Sequence, residues 1–217
     1  MNVPKEPLSE TKCTIMSVAR ELFSRFGFEG ASIRDIAKKS GVNLAAINYH
    51  FKNKENLFWE TIGESYLEAE KITINISLNA TNTQDFAVLL FDQFRERPDL
   101  IRNTMKMLLT EKMDPPKDSV IAQKIKSTLG PPGAAQLAAL LAKEIPFTMN
   151  PLGLMWGVKM IFGNIVHWST MCTTAHFEAI CASNPLQSPE QVRWDISQAA
   201  IAVVNHIKNH PEFFKAK

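Results

Sequence analysis

The densest group of side chains able to do chemistry in this sequence is GVNLAAINYHF, Gly41 to Phe51. Asn43, Asn48, Tyr49 and His50 supply hydrogen-bond donors and acceptors there, yet no Lys or Arg lies between Gly41 and His50. A carboxamide can bond bidentately to adenine N6 and N7, and Leu44, Ala45 and Ala46 offer apolar surface that suits a thymine methyl. A second group, His167 with Cys172, can be drawn as a thiol–imidazole pair. At i and i+5 the two are displaced around a helix, and no orienting group or oxyanion loop accompanies them, so an enzyme is not expected. The three cysteines, Cys13, Cys172 and Cys181, lack CxxC spacing and suggest neither a disulfide framework nor a zinc site. No metal or cofactor is expected, and reduced thiols fit a cytoplasmic protein.

The elements that must position these groups read as helices throughout. Ile15, Ala19, Leu22, Phe23 and Phe26 recur at three and four residues and define a first helix that Gly27 stops. Ser32 caps a second, with Asp35 three residues on, and Gly41 ends it. Asn43 caps a third, with Ile47 and Phe51 inward, and Asn53 caps a fourth that runs to about Ile76. Helices are then expected over 85–97, 99–113, 119–129, 134–144, about 151–182 and 189–209, separated by Pro- and Gly-containing breaks. No stretch alternates with a period of two, so the fold class is all-α.

The chain has 217 residues, a formal charge of +2 and 45% hydrophobic content. So small a net charge excludes a polycation coating nucleic acid; any DNA contact must be local. The N-terminus has no apolar core of a secretory signal. Met160 to Phe177 contains no Asp, Glu, Lys or Arg, but Asn164, His167 and several Ser and Thr residues favour a helix buried between protein layers over a membrane span.

From Thr14 to Phe58 the chain resembles the DNA-binding domain of the TetR family of bacterial transcriptional regulators. The likeness rests on Ala19, Leu22-Phe23, Gly27-Phe28, Ser32-Ile33, Ile36-Ala37, Gly41-Val42, Tyr49-His50-Phe51 and Lys54-Glu55. Leu108 to Pro115, LLTEKMDP, resembles a subgroup with a CerR-like C-terminal domain. The resemblance implies an N-terminal three-helix helix-turn-helix domain, 1–56, joined to a helical ligand-binding and dimerisation domain, 57–217. It places Tyr49, His50 and Lys54 where the family contacts phosphates, and Arg34, Leu44, Ala45, Ala46 and Asn48 where it reaches bases. Ser32 and Asn43, at helix N-termini, join the DNA-facing set. Two positions depart from the commoner pattern: Asn48, often Tyr, and Leu44, often Lys or another polar residue. Direct readout weighted to A·T pairs is therefore expected. Lys54 meets the positive end of its helix, an unfavourable place unless a phosphate lies nearby. For Tyr49 the alternative is a partly exposed core aromatic; for Arg34, Lys38 and Lys39 it is a solvated face.

The resemblance further implies a homodimer joined through the last two long helices. Leu154, Val158, Ile161, Ile165, Trp168 and Cys172 form one stripe, and Ile196, Ala200 and Val203 form the other; the alternative is intramolecular core. A mainly apolar effector pocket is expected from Met105, Met155 and Met160, with Asn164 and His167 as polar members. The expected function is a homodimeric repressor bound to palindromic double-stranded operator DNA and released by a small-molecule effector, without a membrane partner. The alternative is a DNA-binding regulator or architectural protein that has no effector.

Overall fold

Apolar side chains at helical spacing are buried nearly throughout the computed structural model, which describes residues 10–98, 114–119, 122–123, 131–184 and 188–216. The described helices are α1 (Glu10–Gly30), α2 (Ile33–Ser40), α3 (Leu44–Phe51), α4 (Lys54–Asn79), α5 (Thr83–Glu96), α6 (Ala134–Glu144), α7 (Pro151–Met171), α8 (Ala175–Ser183), α9 (Pro189–Asn209) and α10 (Pro211–Phe214). An isolated bridge between Met149 and Lys215 is the only β pairing among the described residues. The helix expected at 99–113 and most of that at 119–129 lie outside the described residues.

The described chain divides into two compact units. One comprises Met1–Ser65 with Asn103–Lys126, the other Tyr66–Arg102 with Ser127–Lys217. The division falls after Ser65 rather than after Asn56, because Leu57, Phe58, Trp59 and Ile62 of α4 are buried in the first unit. Phe58 sets its edge against Phe23 at 5.2 Å and against Phe28 at 5.3 Å, which ties the start of α4 to α1. Gly27 breaks α1, as expected, with φ 73° and ψ 177°, and one further helical turn follows to Gly30.

In the second unit α5, α6, α7 and α9 pack on one another. Phe86, Leu90, Phe91, Leu137, Leu141, Ile161, Ile165, Ile196 and Ile207 form its interior. Asn150 caps α7 by accepting the Gly153 N–H at 2.7 Å, and its amide donates to the Phe213 carbonyl at 2.9 Å. One side chain thus starts α7 and pins α10, whose Phe214 joins Leu141, Ile145, Val204 and Ile207. Gly157 lets α6 and α9 approach α7: a β-carbon there would stand 2.6 Å from Leu141 Cδ2 and 3.0 Å from Ile207 Cδ1. Gly157→Ala is therefore expected to destabilise the protein by about 1–3 kcal/mol, despite the better helix propensity of Ala. A thermal melt checks this; an unchanged or raised midpoint would show that the neighbours yield.

The long helix expected over 151–182 is two helices. α7 ends at Met171, and Thr174 caps α8 by accepting the Phe177 N–H at 3.2 Å. The Thr170, Thr173 and Thr174 hydroxyls each donate to a backbone carbonyl three or four residues back. Such bonds compete with a continuing helix, and apolar periodicity alone does not register them. No described helix is long and apolar enough to cross a membrane.

Candidate nucleic-acid interface

The first unit builds a helix-turn-helix from short-range bonds. The Ser32 hydroxyl accepts the Asp35 N–H at 3.0 Å and donates to the Asp35 carboxylate at 2.5 Å, so α2 begins with a closed cap. Gly41 ends α2 at φ 72°, ψ 14°, a left-handed conformation that glycine adopts without strain. Asn43 Oδ1 accepts the Ala46 N–H at 2.7 Å and starts α3 after a turn of only three residues. Ile47 and Phe51 are each 1% exposed and fix the rotation of α3. That rotation turns Leu44, Ala45, Asn48 and Tyr49 outward, with Ala46 and His50 half-buried at the margin.

Tyr49 is 84% exposed, which rules out a role as core aromatic, and Leu44 is 42% exposed. The Tyr49 and His50 rings meet edge to face at 5.2 Å. Asn48 is exposed, and its carboxamide makes no hydrogen bond among the described residues. Arg34 on α2 is exposed, as is Lys38, one turn on along the same face. Lys39 pairs with Glu21, so its charge is largely met within the unit. Ser32 and Asn43 are occupied as caps and offer only their remaining capacity to a ligand. Lys54 opens α4 and lays its ammonium over the Phe28 ring, 4.3 Å from the centroid. Sequence reasoning missed Lys52, an exposed cation directly after α3 with φ 65°. Its N–H bonds the Asn48 carbonyl at 2.9 Å and closes the helix. The signal was the KNK run itself, read only as a boundary.

Residues 15–61 match the tetR family of bacterial regulatory proteins. This segment is a TetR-family N-terminal domain. The chain is 40% identical over 86 residues to the Probable HTH-type transcriptional regulator YttP of Bacillus subtilis, covering 38% of this chain and 41% of that protein. The HTH-type transcriptional regulator AcrR of Shigella flexneri is 44% identical over 71 residues, 30% of this chain and 33% of its own length. The chain thus spans well under half of these curated relatives. Along nearly its whole length it resembles the solved transcriptional regulator FadR of Bacillus subtilis in complex with stearoyl-CoA. The TM-score is 0.59 at 18% identity, over 89% of this chain and 95% of that one. The likeness at that identity is one of fold: the TetR domain is followed by a helical body of the same architecture.

That body bears on two expectations. Val158, Ile161, Ile165, Ile196 and Ala200 are buried inside the second unit, where α5 and α6 cover the apolar stripes of α7 and α9. Leu154 and Val203 pack on the Leu141–Phe214 cluster, and Trp168 leans on Phe177 at 6.1 Å. The five buried residues are thus intramolecular core, whereas Leu154, Trp168, Cys172 and Val203 are half-buried. Of the expected effector residues, Met160 (47% exposed) and His167 face outward from α7. Met155 does line an apolar cleft of about 160 Å³, with Ala138, Met149, Pro151, Leu154 and Val158. Asn164 is half-buried, and its buried Oδ1 has no hydrogen-bond partner among the described residues. Met105 lies outside the described residues, as do Leu108 to Met113 of the CerR-like segment.

Cys172 caps α7, half-buried. Burial pushes its thiol up to about 11; the Arg95 charge works against this and Cys181 adds to it. A thiol of that kind is protonated at neutral pH and is a poor nucleophile. Its alkylation at pH 8 is expected to be roughly a hundredfold slower than that of an ordinary exposed thiol, with exposed Cys13 as the internal reference. Equal labelling of the two would contradict this. Because the folded-state value is raised, the thiol's contribution to stability is present below about pH 9 and fades as pH rises towards 11.

Proposed function

We propose that the chain is a DNA-binding transcriptional regulator, a cytoplasmic homodimeric repressor that leaves a palindromic operator when a small-molecule effector binds. The observation that carries this reading is the outward face of α3. Leu44 and Tyr49 are large, exposed and unneeded by the fold, and they flank an Asn48 carboxamide left free to bond a base edge. A helix of this kind presents such groups to the major groove, with α2 crossing the backbone. The names of YttP and AcrR support the reading for the N-terminal domain.

One short helix makes few contacts, and two-fold repetition multiplies them. The outward faces of α7 and α9, not their buried stripes, are the surfaces for a second copy. Trp194 is 58% exposed there, and Gly163 sits mid-helix with nothing within 4 Å of a β-carbon. Glycine in a helix costs about 0.5–1 kcal/mol relative to Ala, and nothing within the subunit calls for it at Gly163. Close approach of another helix does. Gly163→Met is accordingly expected to weaken self-association without unfolding the subunit, as sedimentation equilibrium would read; an unchanged dimer would remove this face from the proposal. The FadR complex with stearoyl-CoA supports an effector site in a body of this fold. The cleft beside Met155 suits an apolar molecule; the unpartnered Asn164 oxygen is a separate acceptor further along α7. Such a molecule releases DNA only if it binds the DNA-incompetent state more tightly. Titration into operator duplex tests the whole: two chains per duplex and weakened binding with added long-chain acyl compounds are expected. One chain per duplex would overturn the dimer, and indifference to a broad set of apolar compounds would overturn the effector.

A further inference from the structure

Lys54 is placed against the electrostatics of its own helix. It is the first residue of α4, where the helix dipole is positive and a cation is disfavoured. Three other cations of the first unit are met by carboxylates: Lys12 by Glu60, Arg20 by Glu64 and Lys39 by Glu21. Lys54 has no carboxylate partner among the described residues. Its ammonium instead lies 4.3 Å from the centroid of the Phe28 ring. That ring cannot drift, because it stacks on Phe23 at 6.2 Å and meets Phe58 edge to face at 5.3 Å. An aromatic face attracts a cation without cancelling its charge. A carboxylate in the same place would hold Lys54 equally well but would annul the field felt by an approaching anion.

We propose that Phe28 is a positioning residue for DNA binding: its ring holds the Lys54 ammonium oriented and uncompensated, ready for a backbone phosphate. The inference rests on the reading of α3 and α4 as a DNA-binding surface. The sequence shows Phe28 as part of the Gly27-Phe28 pair and gives no hint of this second use of its outer face.

Phosphate contacts do not depend on base sequence, so a short random-sequence duplex at low salt is a sufficient probe. Phe28→Leu is expected to lower affinity roughly 3- to 10-fold, and Phe28→Tyr to restore it. Lys54→Gln should reduce the salt dependence by about one counterion. In the Lys54→Gln background Phe28→Leu should have no further effect. Independently of DNA, the ε-methylene protons of Lys54 should be shifted upfield by the ring current, and the shift should vanish in Phe28→Leu and persist in Phe28→Tyr. An equal loss from Phe28→Leu with and without Lys54 would mean a merely structural role and overturn the proposal. So would an unshifted methylene, or equal DNA binding by the wild type and Phe28→Leu. Failure of the wild type to bind any duplex, with the shift present, would instead overturn the DNA-binding reading and the phosphate role with it.

Discussion

Phe58→Ala is expected to cost about 3–5 kcal/mol of stability and to remove DNA binding with it. Phe58 is fully buried and touches three other aromatic rings: Phe23, Phe28 and Trp59, the last at 5.3 Å. Truncation removes the transfer energy of a whole ring, leaves a cavity, and forfeits about 0.5–1.5 kcal/mol for each aromatic pair beyond its area. Domains are stable by only about 5–15 kcal/mol in total, so the first unit should be largely unfolded at moderate temperature. Phe58 also backs Phe28, so the platform under Lys54 goes with it. Denaturant melts followed by far-ultraviolet circular dichroism, with duplex binding measured on the same samples, check both parts. A loss below about 1 kcal/mol would show that the aromatic cluster does not hold the helix-turn-helix together.

The second large effect leaves the fold alone. Asn48 is exposed, so Asn48→Ala should change stability by no more than about 0.5 kcal/mol. It should nevertheless lower discrimination between cognate and scrambled sequence by about 1–3 kcal/mol, because a bidentate carboxamide–adenine pair is lost. Lys54→Gln should behave in the opposite way, weakening both sequences alike, since a phosphate carries no base identity. Competition binding with the two duplexes separates these outcomes. An Asn48→Ala protein that kept the wild-type ratio would place base readout elsewhere on the domain.

Most of the helix-turn-helix unit was legible in the sequence because its signals are local. Ser32, Gly41, Asn43 and Asn53 act on backbone groups within five residues of themselves, and each does in the structure what its type suggests. Ile47 and Phe51 then set the face of α3 by simple periodicity. What failed was long-range. The stripes on α7 and α9 were correctly apolar, but a stripe does not say whether it is covered by its own chain or by another. Here α5 and α6 cover it, and the α5 contacts join segments more than fifty residues apart in sequence. Met160 and His167 were placed in an interior for their residue types and lie on an exterior. The break at Thr174 escaped because hydroxyl-to-carbonyl bonds leave no mark on hydropathy. The packing of Lys54 on Phe28 joins residues twenty-six apart whose separate roles gave no reason to connect them.

The central claim is that the outward face of α3 reads duplex DNA. Selection of bound sequences from a random pool of duplexes by the full chain tests it most directly. The expected result is a two-fold symmetric motif whose half-sites are rich in A·T pairs, and whose central positions lose definition when the selection is repeated with Asn48→Ala. A pool that returns no enriched motif, or a motif unchanged by Asn48→Ala, would contradict it.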